Sequence, residues 1–360
     1  MSLALPSPRE EAWRWSDLSG LAALAEGSPA GGAIDPAHLW LNLGGPRLLF
    51  VDGRLDAARS APGVIAIGPV DAASEHPLGR LAAGNGWTLA IGRDHAAAGP
   101  VEIVHVATGG ASHLPARIAL AEDAQASIVE TFVGDGWANR LTAIALDHGA
   151  RLMRGVRLMQ ASGFTSLRDE AVLGRGASLV TTILGVGGAG TRIDGAVTLA
   201  APGGYAEYGG ALLARGGQRH DAAVVVRHAA TEGTSRQLWR AVADDTATAS
   251  LAARVEVARD AQKTDGEQSL RGLLLRRTAT VNLKPELEIF ADDVKCAHGA
   301  TVGELDARAL FYLASRGLPP AQARALLTRA FIADALGRIG EEAVREAFVA
   351  DADAWLGSTE

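Results

Sequence analysis

Cysteine is almost absent from this 360-residue chain, with Cys296 its single example. One thiol excludes an internal disulfide and any cysteine-rich metal cage that the chain builds alone. Lysine occurs only at Lys263, Lys284 and Lys295. None of the three follows a glycine and precedes Ser or Thr as a phosphate-binding loop requires, so ATP hydrolysis by this chain is not expected. Basic residues are outnumbered, 34 Lys and Arg against 41 Asp and Glu, for a net charge of −7. Phosphate contacts need a basic face, so nucleic acid is not an expected partner. Aromatics make up 5%, which leaves few large anchors for a core. No apolar run approaches the 18 or so residues of a membrane helix, and the amino terminus lacks a basic stretch followed by an apolar one. The expectation is a soluble cytoplasmic protein with no membrane partner.

What the chain does have is 48% hydrophobic residues and 43 glycines, enough for a sizeable core with many tight turns. Ser7, Pro8 and Glu10 read as an N-cap, a first-turn proline and a capping-box partner, which predicts a helical first 30 residues with Trp13 and Trp15 in the opening turns. From about Leu39 short apolar runs take over, at 48–51, 64–67 and 87–91. Between about 99 and 290 apolar segments recur behind small-residue turns. The turn alanines Ala126, Ala150 and Ala177 are 24 and 27 residues apart. A period of that size with several short strands and no helical pattern predicts a β-solenoid, while a β-sandwich or barrel also yields strands at short spacing. After about 303 the period turns helical. Asp306 caps a helix ended by Gly317, and Pro319-Pro320 opens a second with Ala323, Leu326, Leu327, Ala330 and Phe331 on one face. A third begins near Glu341 and carries Val344, Phe348 and Trp355.

Several patterns lead nowhere. Gly185-Val-Gly-Gly-Ala-Gly190 matches a dinucleotide fingerprint in letters, but Thr191–Leu199 continues as turn and strand where a helix is required, so it is assigned to a solenoid corner. No nucleophile elbow occurs. His220 and His228 lie eight residues apart, too far for shared ligation on one strand, and read as surface or corner histidines; His105 and His113 offer no stronger pattern. Paired carboxylates on consecutive turns, which a polysaccharide-active solenoid needs, are not evident.

The segment 284–303, KPELEIFADDVKCAHGATVG, is different. Cys296 and His298 are two apart and share one face of an extended strand. A thiolate and an imidazole together suit zinc or iron. Two ligands are half of a tetrahedral set, so a site must borrow from Asp292, Asp293 or another chain. A buried inert cysteine beside a solvated histidine accounts for the same letters.

Here the sequence resembles the SufB/SufD family of the SUF iron–sulfur cluster assembly machinery. The resemblance runs through Ala261-Gln-Lys-Thr-Asp265, Leu273-Leu-Leu275, Lys284-Pro-Glu-Leu-Glu-Ile289, Asp292-Asp-Val-Lys-Cys-Ala-His-Gly-Ala-Thr-Val-Gly303 and Leu310-Phe-Tyr-Leu-Ala-Ser-Arg-Gly317. Glu10-Glu-Ala-Trp-Arg-Trp-Ser-Asp-Leu18 adds a patch near the start. It is nearer the family's SufD members, because SufB members carry an acidic residue where Cys296 stands and are longer. The resemblance implies a mainly β fold, a right-handed parallel β-helix core (residues 96–300) between a helical or mixed amino-terminal region (1–95) and a carboxy-terminal helical domain (301–360). It further implies a non-catalytic scaffold. Such a chain pairs with a SufB-like paralogue through the β-helix and anchors a SufC-like ABC-type ATPase through its last helices, for example at Leu310, Phe311, Tyr312, Leu326 and Phe331. ATPase activity would belong to that partner. His298, with Cys296 near it, is implied as a half-site for the nascent cluster, completed by the partner. No cofactor is then expected to be tightly bound by the isolated chain, and a cluster only in the complex. The persulfide-handling cysteines of SufB are absent here. A homodimer is possible when the chain is alone; a purely structural solenoid homodimer and a SufB-like paralogue are the alternatives.

Overall fold

The computed structural model describes residues 4–31 and 37–357. From residue 101 to residue 304 the chain winds into a β-solenoid whose strands pair in parallel with those of the next coil. Each coil lays one strand on each of two faces. Val101–Leu120 and Gln125–Leu146 span both faces without a break. They round the corner on glycine: Gly134 has φ +87°, and a Cβ there would lie 2.0 Å from the Ala107 carbonyl oxygen, which bars any larger residue. Later coils break at this corner. One face then carries Arg151–Leu158, Ser178–Gly185, Tyr205–Ala214, Thr234–Ala243, Asp265–Leu274 and Lys295–Glu304. The other carries Phe164–Leu173, Gly190–Leu199, Arg219–His228, Thr248–Val257 and Thr280–Ile289.

The register gives the coil length directly. It grows from 26 residues (Gln125 pairs with Arg151) to 30 (Asp265 pairs with Lys295), which is why the sequence period drifts. The corner alanine of the first full coil is Ala124, whose carbonyl accepts from Arg151 as those of Ala150 and Ala177 accept from Ser178 and Tyr205. Ala126 is instead a strand residue paired with Leu152. The Gly185–Gly190 stretch is a corner, with a strand ending at Gly185 and the next beginning at Gly190.

Alternate side chains point inward. Leu167, Ile193, Ala222 and Leu251 stack in one such column, each buried by the coils above and below. Burying an aliphatic side chain of this kind contributes roughly 1.5–3 kcal/mol, so the solenoid builds its core with few aromatics. His220 and His228 are also inward and buried, which corrects their reading as surface or corner residues. Their even spacing on Arg219–His228 puts both on the apolar inner face.

The amino terminus departs from expectation. Glu10 Oε1 accepts from the Ser7 backbone N–H at 2.9 Å, and Ser7 Oγ from that of Arg9 at 3.2 Å, so the capping pair forms. It closes only a turn, followed by a 3₁₀ turn at Glu11–Trp13 and one short helix, α1 (Leu21–Glu26). Residues 1–3 lie outside the described chain. Packing overrides the local helix signal: Trp13 and Leu18 are buried beside Trp137 and Phe164 of the second face, with the segment laid across that face as a strap.

The carboxy-terminal helices are α2 (Ala307–Ser315), α3 (Pro320–Leu336) and α4 (Glu342–Gly357). The Asp306 side chain caps α2 by accepting from the Arg308 N–H at 2.9 Å. Helices α3 and α4 cover the first face, where Val344, Phe348 and Trp355 are buried among Val129, Leu184 and Leu213. Buried ties fix them: Arg157 to Asp351 at 2.6 and 2.9 Å, and Arg240 to Asp334. The buried stripe of α3 is Ala323, Thr328, Ile332, Ala335 and Leu336, leaving Leu326 and Ala330 exposed. Alanine and leucine surround most of this helix, so periodicity does not choose its inner face; the ion pair of Asp334 does. Among the described residues no helix is long and apolar enough to cross a membrane.

Candidate functional site

The two ends of the solenoid differ. At the first coil Arg47–Val51 and Asn85–Ile91 pair in parallel with Val101–Leu120 and cover it. At the other end Lys295–Glu304 pairs with Asp265–Leu274, and Thr280–Ile289 with Thr248–Val257. Among the described residues no strand covers either of these last two strands, so a row of backbone N–H and C=O groups is left open. Ile289, Val302 and Phe290, the last 66% exposed, stand at this end.

Both Cys296 and His298 lie on Lys295–Glu304. Cys296 faces inward, half-buried against the cluster of Val255, Val257, Ala261 and Ala291. Burial pushes its thiol above the usual cysteine range, against a hydrogen bond from the Gly266 backbone. The group is therefore a protonated thiol at neutral pH, and a metal must displace the proton to use it. Two residues on, His298 shares that inward face. It pairs with Gln268, which pairs with Gln237; both glutamines are buried at 1% exposure, whereas His298 is exposed because no coil follows. An imidazole thus stands at the mouth of the solenoid, at the end of an inward polar column.

Asp292 and Asp293 lie exposed in the turn before this strand, where the Asp293 N–H donates to Gln262 Oε1 at 2.9 Å. Among the described residues no group of three or more His, Cys, Asp or Glu is arranged to hold a metal ion. The thiol and imidazole offer one soft and one borderline ligand toward the open end, half of a tetrahedral set.

The residues proposed for ATPase contact divide into two kinds. Phe311 (76% exposed), Tyr312 and Leu326 are open to solvent. Leu310 is partly buried, and Phe331 packs into the core between helices and solenoid. Helix α2 buries none of its residues.

Sequence reasoning missed a wholly internal ionic network. Glu130 accepts from Arg140 Nη2 at 2.9 Å and from Arg154 Nη2 at 2.7 Å. Asp169 accepts from Arg154 and from the Tyr208 hydroxyl, and His105 contacts Arg140. Burial alone would raise the Glu130 carboxyl, but the two guanidiniums outweigh it and hold it well below the carboxylate range. Burial, aided by Arg140, lowers His105 to about 4, so this imidazole is neutral. The available signal was charge at inward positions: Glu130 and Arg154 alternate with apolar neighbours in strands that otherwise face the core.

Comparison with known proteins bears on this architecture. The family described as SUF system FeS cluster assembly, SufBD core domain, matches residues 104–331. The iron–sulfur cluster assembly protein SufD of Escherichia coli is 28% identical over 96% of this chain and 88% of its own length. An iron–sulfur cluster assembly SufBD family protein of Mycobacterium leprae is 27% identical over 99% of this chain and 92% of its own. SufD of Bacillus subtilis is 26% identical over 69% and 59%. The family match takes in both faces of the solenoid, the open end with His298 and helix α2, and the chain belongs to the SufB/SufD family of the SUF iron–sulfur cluster assembly system.

Proposed function

We propose that this chain is a SufD-type scaffold subunit, without catalytic activity of its own, on which an iron–sulfur cluster is assembled jointly with a SufB-like partner. The observation that carries the reading is the placement of His298. It is an exposed imidazole on the inward face of an uncovered terminal strand, two residues from the chain's only cysteine. A partner solenoid docked end to end against Lys295–Glu304 and Thr280–Ile289 would satisfy their free edges and cover Phe290 and Val302. It would bring its own thiolate and carboxylate ligands to His298 and Cys296. The cluster is cargo of the joined site, which accounts for an incomplete ligand set in one chain.

Helix α2 supports the second contact. With no buried residue and with Phe311 and Tyr312 open to solvent, it presents an apolar face suited to a groove on a SufC-like ATPase. ATP turnover would be that partner's, and its movements would reach the solenoid through α3 and α4, which are tied by Arg157–Asp351 and Arg240–Asp334.

The test is affinity purification of the tagged chain co-expressed with SufB-like and SufC-like proteins. Recovery of all three supports the reading, while recovery of the chain alone, or of a homodimer that a SufB-like protein fails to displace, overturns it.

A further inference from the structure

Two of the motif blocks lie far from His298 and meet each other. Glu10–Leu18 forms the strap, and Lys284–Ile289 belongs to the last strand of the face beneath it. Between them is a cavity of about 580 Å³, well within the size of small-molecule sites. Its floor is outward-facing and small: Ala223, Val225 and Ala252 leave a flat apolar strip across adjacent strands. Its roof includes the indoles of Trp13 and Trp15.

The inner end of the strap is anchored rigidly. Arg192 is buried and donates to Ser16 Oγ at 2.8 Å, to the Ala12 carbonyl at 3.0 Å and to Asp194 and Asp221, with the Trp13 ring 4.4 Å from its guanidinium carbon. The outer end is held weakly. Lys284 Nζ meets Glu11 Oε1 at 2.6 Å, but the Glu11 side chain is 80% exposed, and exposed pairs of this kind contribute only about 0–1 kcal/mol. The strap can thus lift at its outer edge while the buried knot stays closed, which gives a ligand a way in.

We propose that this cavity is a binding site for a small planar aromatic molecule carrying an acidic group. The ring slides between the indole roof and the aliphatic floor, where stacking and burial favour a flat apolar body. The acidic group is directed by charge: the lining holds five Lys and Arg against four Asp and Glu, within a chain of net charge −7. Arg254 is the leading recognition residue. Its carboxylate neighbours Glu256, Glu286 and Glu288 stand at 3.5–3.6 Å, beyond good hydrogen-bond distance, so the planar fork of donors has capacity for a bidentate acid.

The experiment titrates the full chain with 8-anilinonaphthalene-1-sulfonate, a planar aromatic acid, and with its neutral analogue N-phenyl-1-naphthylamine, following dye emission and energy transfer from tryptophan. One saturable site for the sulfonate is expected. Ala252→Trp, which fills the floor, should weaken both dyes at least about tenfold, and Arg254→Glu should weaken the sulfonate about tenfold while changing the neutral dye less than about twofold. Lys284→Ala should speed sulfonate entry. Melting curves verify folding, and Val225→Phe replaces Ala252→Trp if the latter does not fold. Absence of saturable binding, or undiminished binding with the floor filled, overturns the site. Equal losses of both dyes on Arg254→Glu overturn recognition of the acidic group.

Discussion

His298 is available because of where the stack stops. One coil earlier, the same inward position is Gln268, fully enclosed and donating across the interior to the Glu286 carbonyl at 3.2 Å. A side chain that makes no packing contribution can be removed cheaply, so His298→Ala is expected to leave thermal stability within about 0.5 kcal/mol of the parent, as melting curves would show. His220 and His228 behave in the opposite way. Burial lowers both to about 4 from an ordinary value of 6.5. Between those values the unfolded chain binds more protons than the folded one, so stability should fall as pH drops below 6.5 and this loss should level off near 4. Asp194, held at about 2 by Arg192 against its burial, adds a second loss as pH falls below its unfolded value of 3.8. Calorimetry from pH 7.5 to 3 on the parent and on the paired His220→Gln, His228→Gln variant measures this; an unchanged slope between pH 6.5 and 4 in the variant would contradict the assignment.

The helices of the tail divide the labour between docking on the solenoid and remaining open. Phe348 of α4 is fully buried, with its ring packed near Gly155, so Phe348→Ala is expected to cost about 3–5 kcal/mol in denaturant unfolding. Phe311→Asp on α2 should cost almost nothing in the same assay and yet abolish recovery of a SufC-like ATPase with the complex. Retention of the ATPase would remove α2 from that contact. What the sequence made legible here was whatever depended on local chemistry. The Asp306 cap, the Gly317 stop, the Pro320 start and the spacing of Val344, Phe348 and Trp355 are all realised. What stayed hidden was set by partners distant in the chain. The Ser7–Glu10 pair signals a helix, but burial of Trp13 against the solenoid decides for a strap. The inner side of α3 is chosen by Arg240, and Ala124 stacks where Ala126 matched the period better. The pairing of Cys296 with His298 was visible from a spacing of two; the cavity under the strap was not, because Glu11 and Lys284 are 273 residues apart.

As a whole the molecule is a one-dimensional stack, each coil covering its neighbour, with one end closed by Arg47–Val51 and Asn85–Ile91 and the other left open. An open stack end demands a partner, and either a second copy or a SufB-like solenoid meets that demand. The heterologous pair should win when both are present, since only it completes the ligand set. Native mass spectrometry of the homodimer mixed with a SufB-like protein would report the exchange. The most direct measurement is the iron and sulfide content, with the visible absorption of the cluster, of the anaerobically co-expressed complex carrying either His298 or His298→Ala. The account requires a cluster in the first, an intact but cluster-free complex in the second, and none in the isolated chain. An undiminished cluster in the His298→Ala complex would contradict it.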